Sequence, residues 1–232
     1  MRRTLPALCI LLVFFGLSLS ACERAWQAGG LTGRLLCASN GAYGVTPNGF
    51  SERAPYFSGA GWVERPAVIR GGEFTSHAAL VGRTPDGVVV AFRGSQPPEE
   101  WSASVVLDWL SDLNVAPAEV RDIPGQVHRG FWNALNLMWS EIRLAIFKAM
   151  DKSESERLYI TGHSKGGALA LIAAARLQFR DRIPVEEVVV FGTPKCGDAT
   201  FAATLDSALR IRAFHADGDF IPNLPPIDRV QA

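Results

Sequence analysis

One serine of the chain stands in a setting that could make it a nucleophile. Residues 162–166 read Gly-His-Ser-Lys-Gly, with Ser164 at the centre. A short strand-like run at 158–161 precedes them, and an alanine- and leucine-rich stretch follows. This order predicts a strand, a sharp turn and a helix, which together expose a serine hydroxyl above a sheet edge. The alternative is a structural role, in which a glycine-rich turn provides a serine that caps a helix.

Acyl transfer by a serine also needs a base, a carboxylate that orients the base, and donors for the oxyanion. Two acids, Asp217 and Asp219, follow a strand predicted at 209–214, where such a carboxylate belongs. Asp217 precedes Gly218 and is typical of a turn, and both acids stay candidates on the residues alone. The helix predicted after Ser164 would direct its positive end at the same place and favour an anion.

The elements that must position these groups alternate along the chain. The pattern predicts a helix near 31–43, a β-hairpin from 78–82 and 88–92 around a Pro-Asp-Gly turn, and a long helix over 131–150. Strands at 158–161, 188–191 and 209–214 and a buried helix at 166–179 follow. Alternating strands and helices indicate an α/β fold with a mostly parallel central sheet and helices on both faces.

The bulk composition fits one globular domain and argues against nucleic-acid binding. Hydrophobic residues make up 48% of the 232 residues, and charged residues make up 20%. Lys plus Arg and Asp plus Glu both total 23, so no field of one sign attracts nucleic acid. No cofactor motif or metal-ligand cluster of cysteine and histidine stands out.

The N-terminus is typical of an export signal. Arg2 and Arg3 precede an apolar run at residues 5–19, which is short for a membrane-spanning helix and ends in small residues. We therefore predict a signal at 1–21 and a folded domain at 22–232. Residues 19–22 read Leu-Ser-Ala-Cys and resemble the lipobox of bacterial lipoproteins, which predicts lipidation of Cys22 and a membrane tether; ordinary cleavage beside a cysteine is the alternative.

Two further cysteines belong to the predicted mature domain. Cys9 falls in the signal and Cys22 at the lipobox, which leaves Cys37 and Cys196. In an exported protein these two could form a disulfide, or they could be two unrelated buried thiols.

Five blocks beyond the serine string extend the pattern over most of residues 91–226. In chain order they are AFRGS at 91–95, DWLSDL at 108–113, VHRGF at 127–131, FGTP at 191–194 and DFIPNLPP at 219–226. Together with GHSKGGALA at 162–170 they resemble the class 3 lipases, the fungal-type triacylglycerol lipases and their bacterial relatives. The resemblance implies an α/β-hydrolase fold and hydrolysis of a lipid or small ester at a lipid–water interface. Together with the N-terminal signal, it predicts an exported protein that is either secreted or held in a bacterial cell envelope.

The resemblance also implies roles for individual residues. Ser164 becomes the nucleophile and Asp219 the orienting carboxylate, while the backbone N–H groups of Ser95 and Lys165 become the oxyanion donors, with help from the Ser95 hydroxyl. Residues 96–113 become a lid, although their composition also fits an ordinary surface helix. At position 165 the family usually has an apolar residue; we expect the lysine side chain to be solvated, and contact with the acyl product is the alternative. His163 is expected to pack away from the site.

The catalytic base does not fit this pattern. In α/β-hydrolases the histidine follows the acid, yet all four histidines, at 77, 128, 163 and 215, precede Asp219. Three interpretations stay open: the chain is a truncated or frameshifted product that lacks a C-terminal part, it is a catalytically impaired lipid-binding lipoprotein with a relict site, or it has a rearranged site that uses His215.

Overall fold

A computed structural model describes residues 19–52, 56–95, 116–219 and 221–224 of the chain. Within these ranges the side chains of residues 19–29 and of Phe74 are not described. The predicted signal up to residue 18, the predicted lid at 96–113 and residues 225–232 therefore lie outside the described part. The predicted domain boundary after Ala21 falls inside the first helix and stays a prediction.

Ten strands form one central sheet and two small hairpins within the described ranges. They are β1 (Val45–Thr46), β2 (Gly49–Phe50), β3 (Ala67–Gly71), β4 (His77–Thr84), β5 (Gly87–Phe92), β6 (Pro117–Val120), β7 (Ile123–His128), β8 (Leu158–His163), β9 (Glu187–Phe191) and β10 (Ile211–Phe214). The central sheet has the order β10-β9-β8-β5-β4-β3. β1 pairs with β2 and β6 with β7.

The central sheet is parallel where the predicted site lies and antiparallel at its other edge. The four strands from β10 to β5 run parallel, while β5–β4 and β4–β3 are antiparallel. The predicted hairpin of β4 and β5 is confirmed, with Thr84 opposite Gly87. Register places Phe92 beside Gly162 and His163 beside Phe191, so β5, β8 and β9 end at one edge.

Six α-helices complete the described fold. They are α1 (Leu19–Gly41), α2 (Tyr56–Ala60), α3 (Arg129–Asn136), α4 (Trp139–Asp151), α5 (Lys165–Ala175) and α6 (Ala199–Ala208), and a π-helical turn (Arg176–Asp181) extends α5. The helix predicted near 31–43 corresponds to the part of α1 that follows a non-helical Gly30. Within the described ranges, no helix is long and apolar enough to span a membrane.

Two apolar clusters lie on opposite faces of the sheet. Side chains of α3, α4 and α5 pack on the face that carries Val88, Val90 and Ile160. Side chains of α1 pack on the face that carries Val89 and Tyr159. This alternation along β5 and β8 follows from the period of two residues in a strand, and it confirms the prediction of a sheet covered on both faces.

The single helix predicted over 131–150 is wrong, because the chain forms two helices, α3 and α4, around Leu137 and Met138. Met138 is fully buried, and a Cβ added at Gly71 of β3 would lie 2.5 Å from its Cγ. The break thus occurs where the chain packs closely against an edge strand. β3, the β6–β7 hairpin and α6 were not predicted from the sequence.

Cys37 and Cys196 do not pair with each other. Cys37 takes part in a disulfide whose second cysteine is outside the described side chains. Cys196 is a free, buried thiol, and burial raises its pKa to about 12. A buried thiol with so high a pKa is unreactive at neutral pH.

Candidate active site

Ser164 occupies the strained turn that the sequence predicts. It lies between β8 and α5 with φ 54° and ψ −128°, a conformation that costs a non-glycine residue free energy. Its N–H donates to the carbonyl of Phe191 on β9 at 2.9 Å, and its own carbonyl accepts from the N–H of Gly167 at 2.8 Å. These bonds hold the turn from the neighbouring strand and from the first turn of the helix.

The glycines around Ser164 are required by close backbone contacts. A Cβ added at Gly162 would lie 2.2 Å from the carbonyl oxygen of Gly166, and one added at Gly166 would lie 2.3 Å from that of Phe92. A Cβ at Gly167 would lie 1.9 Å from Oγ1 of Thr193. The turn therefore sits directly on the ends of β5 and β9, with no room for a side chain.

The predicted oxyanion segment follows β5 and lies beside this turn. A Cβ added at Gly94 would be 2.7 Å from the carbonyl oxygen of His163, so the backbones of the two segments are nearly in contact. Ser95 comes next, and its buried hydroxyl has no hydrogen-bond partner among the described residues. An unsatisfied hydroxyl at this edge is free to donate to a ligand oxygen.

Tyr43 joins the oxyanion segment to the turn, a role that the sequence did not reveal. Its hydroxyl is 2.9 Å from Nδ1 of His163, and the same oxygen would lie 2.0 Å from a Cβ on Gly94. Burial lowers the pKa of His163 to about 4, so the ring is neutral and shares a hydrogen bond with the Tyr43 hydroxyl. The structure thus places His163 in the interior, turned toward Tyr43.

Lys165 differs from expectation. Its side chain is only 3% exposed, so the prediction of a solvated lysine is wrong. The ammonium nitrogen donates to the carbonyl of Ser76 at 2.8 Å and lies 3.3 Å from Nδ1 of His77. Burial, with the nearby charge of Arg93, lowers the pKa of Lys165 to about 7.

Asp219 and Asp217 differ in burial and in hydrogen bonding in the structure. Asp217 is exposed beside Gly218, whose φ is 82°, as in a turn. Asp219 is partly buried, and one of its carboxylate oxygens accepts from the N–H of Ile221 at 3.0 Å. Its other oxygen would lie 3.0 Å from a Cβ on Gly192, the residue that follows β9. Burial raises the pKa of this carboxyl, while the Ile221 bond and His215 partly offset the rise.

None of the four histidines donates to or accepts from the Ser164 hydroxyl among the described residues. His163 faces Tyr43 and His77 faces Lys165. His128 is buried against Phe131, with ring centroids 4.4 Å apart. His215 is partly buried, follows β10 and is the histidine whose charge acts on Asp219. The described part of the chain also holds no cluster of metal-ligating side chains.

A family model decides how this site is classified. The model of lipase (class 3) matches residues 89–229, which is more than half of the chain. The chain belongs to the class 3 lipase family. The match includes the strand before Ser95, the turn at Ser164 and the loop at Asp219.

Individual relatives agree with this membership. The lipase of Rhizomucor miehei is 27% identical over 150 residues, which cover 62% of this chain and 39% of that protein. The secreted mono- and diacylglycerol lipase 1 of Fusarium solani is 32% identical over 143 residues, which cover 60% of this chain and 40% of that protein. The chain therefore matches about two fifths of the length of these relatives.

Solved structures support the fold. The Lip2 lipase of Yarrowia lipolytica superposes with a TM-score of 0.68 at 18% sequence identity, covering 86% of this chain and 75% of that structure. The prediction of an α/β-hydrolase fold with helices around a mostly parallel sheet is confirmed.

Proposed function

We propose that this class 3 lipase is a carboxylic ester hydrolase with Ser164 as its nucleophile. The observation that carries the proposal is the strained φ of Ser164 at the carboxyl end of β8, directly beside the segment of Gly94 and Ser95. A strained conformation persists only where the surrounding structure enforces it, and such positions cluster at active sites.

The chemistry follows from this arrangement. The Ser164 oxygen attacks the ester carbonyl, its proton passes to a base, and the carbonyl oxygen becomes an oxyanion. The backbone N–H groups of Ser95 and Lys165 are the donors for that oxyanion, with the Ser95 hydroxyl, which has no partner among the described residues. Collapse expels the alcohol and leaves an acyl-enzyme, which water hydrolyses. Asp219 supplies the carboxylate that orients the base.

The catalytic base is the role that remains to be assigned to a residue. His163 is buried with its Nδ1 beside the Tyr43 hydroxyl, and Nδ1 of His77 lies beside the terminal nitrogen of Lys165, so neither ring is the candidate base. His215 is the histidine that acts on Asp219, so within the described residues it is the candidate for a rearranged site. A His215→Gln variant tests this directly: a loss of activity as large as that of Ser164→Ala assigns the base to His215, and unchanged activity excludes it.

The substrates we propose are acylglycerols or small carboxylic esters at a lipid–water interface. The relatives are named as a lipase and as a mono- and diacylglycerol lipase. Residues 96–113 remain the candidate for a lid over the site.

The test is hydrolysis of short- and long-chain p-nitrophenyl esters by the purified chain. Ser164→Ala should lower kcat/KM by at least about 10³-fold, since the attacking oxygen is removed. Asp219→Asn should also lower kcat strongly, whereas Asp217→Asn, in the exposed turn, serves as a matched control with unchanged rates. Equal rates for the wild type and Ser164→Ala would overturn the proposal and leave the lipid-binding interpretation.

We also propose that the protein is exported. A tether through a lipidated Cys22 is the finer proposal, and it requires that the Cys22 thiol is not the partner of Cys37 in its disulfide. The basic residues at 2–3, the apolar run at 5–19 and the Leu-Ser-Ala-Cys sequence support the proposal, and one relative is named as secreted. Palmitate labelling in a bacterial host tests the tether. Cys22→Ala should abolish labelling and release the protein from membranes, whereas Cys196→Ala should retain both; labelling that persists in Cys22→Ala refutes the tether.

A further inference from the structure

Two buried cations flank the two proposed oxyanion donors. Arg93 stands two residues before Ser95 and is 1% exposed. Lys165 is itself the second donor through its backbone N–H, and its residue is 3% exposed. Both side chains extend from the catalytic edge of the sheet into the protein interior.

Both cations bind the same short segment of chain. A guanidinium nitrogen of Arg93 donates to the carbonyl of Thr75, and the ammonium of Lys165 donates to the next carbonyl, that of Ser76, at 2.8 Å. This segment ends a 3₁₀ turn (Glu73–Thr75) directly before β4. Its position is fixed to β5 as well, because the N–H of Arg93 donates to the carbonyl of Ala78 at 2.9 Å.

His77 completes the contacts of the ammonium. Burial and the charges of Lys165 and Arg93 lower the pKa of His77 to about 4, so its ring is neutral at physiological pH. Nδ1 of this neutral ring, 3.3 Å from the Lys165 nitrogen, can accept from the ammonium. The lysine therefore contacts both a carbonyl and a ring of one segment, residues 76–77.

Stability does not account for a lysine at this position. Burial of a charged amine costs desolvation free energy, which is why burial lowers the pKa of Lys165. The ammonium is instead well placed to hold the elbow, since it anchors the residue whose N–H faces the oxyanion.

We propose that Lys165 is a positioning residue of the oxyanion hole. The terminal nitrogen of its side chain, which donates to the Ser76 carbonyl, ties the nucleophile turn to residues 75–77, which also bind Arg93, so that the N–H groups of Ser95 and Lys165 keep a fixed separation. The inference rests on the proposed ester hydrolase function. It concerns the side chain alone, because any residue except proline supplies the backbone N–H.

The test compares Lys165→Met with Lys165→Arg and with a control, Lys148→Met, which removes an exposed lysine on α4. Displacement of a catalytic group by about 1 Å can cost about 10²-fold in rate. We therefore expect Lys165→Met to lower kcat on p-nitrophenyl butyrate by about 10- to 100-fold at unchanged KM. Lys165→Arg should recover part of the loss, and Lys148→Met should match the wild type.

Urea denaturation of each variant separates positioning from damage to the fold. A fall in kcat without a fall in the denaturation midpoint, with rescue by arginine, supports the inference. Unchanged kcat in Lys165→Met overturns it, as does a loss that arginine does not rescue. If Lys165→Met does not fold, His77→Leu, which removes a contact of the ammonium, should lower kcat at unchanged KM; wild-type kcat in that variant likewise overturns the inference.

Failure of the proposed function gives a different result. In that case the wild type and Ser164→Ala hydrolyse the ester equally, and the wild type does not bind butylboronic acid, which forms a tetrahedral adduct with an activated serine. That outcome overturns both proposals. Hydrolysis that depends on Ser164 but not on Lys165 overturns the positioning role alone.

Discussion

Substituting Lys165 should change how the stability of the fold depends on pH. The folded chain holds this side chain 3% exposed with its pKa lowered from 10.5 to about 7, whereas the unfolded chain keeps the ordinary value. Between these two pH values the unfolded state binds the additional proton. The free energy of unfolding should therefore rise with pH over this range.

The magnitude follows from the size of the shift. One pKa unit corresponds to about 1.4 kcal/mol, and the folded lysine is half protonated at pH 7, so the gain from pH 7 to pH 9 is about 2 kcal/mol. The charged groups facing the ammonium do not titrate there: His77 is neutral above its pKa of about 4, and the Arg93 guanidinium stays charged. Below pH 7 both states are protonated and the contribution is constant.

Urea denaturation at pH 7, 8 and 9 measures this effect. The wild type should gain about 2 kcal/mol relative to Lys165→Met over the range, because methionine carries no proton. Lys148→Met, which lacks an exposed lysine, should follow the wild type at each pH. Parallel curves for the wild type and Lys165→Met would refute the reasoning, since they would show that the buried amine keeps its proton throughout.

Three further perturbations test the packing of the site. Gly166→Ala should lower the free energy of unfolding, measured in urea, by about 2–4 kcal/mol, because the added Cβ would lie 2.3 Å from a backbone oxygen. The control is Gly41→Ala, whose Cβ meets nothing closer than 4.0 Å and which should leave stability unchanged. As the pH drops from 6.5 to 4, the free energy of unfolding should fall by about 3 kcal/mol more in the wild type than in His163→Phe. The reason is that the His163 ring stays neutral to about pH 4 in the folded chain, whereas it protonates near pH 6.5 in the unfolded chain. Equal losses in the two proteins would contradict the burial of His163. Cys196 should resist iodoacetamide in the native chain and react in urea, and mass spectrometry of the peptide that shows native labelling would disprove its burial.

Local chemistry allowed much of the site to be predicted. The nucleophile turn follows from glycines on both sides of Ser164, because only glycine fits where the backbones meet. The β4–β5 hairpin follows from the Pro-Asp-Gly turn between two apolar runs. The turn at Asp217 was predicted from Gly218 by the same reasoning, and the structure places Asp217 in an exposed turn, whereas the choice of Asp219 also used the resemblance to the family. Each depends on residues close together in the chain.

Contacts between distant segments could not be predicted from the sequence. Tyr43 meets His163 across 120 positions, and Lys165 meets Ser76 across 89. No periodicity or motif near Tyr43 or Ser76 indicates that either residue reaches the catalytic edge. The break between α3 and α4 was not predicted for a similar reason. It depends on packing against β3, an edge strand whose sequence shows no clear apolar alternation.

The sequence by itself determined the sharp turn at Ser164 and the order of the strands that carry it, because glycine spacing and apolar periodicity act over a few residues, and its motifs carried the resemblance to the family. Only the tertiary structure decided the environment of Lys165. A long side chain with a charged end can lie in water or reach inward, and the choice depends on which acceptors the fold brings within reach. Here parallel pairing of β5 with β8 and antiparallel pairing of β5 with β4 place the Ser76 carbonyl and His77 within reach of its ammonium.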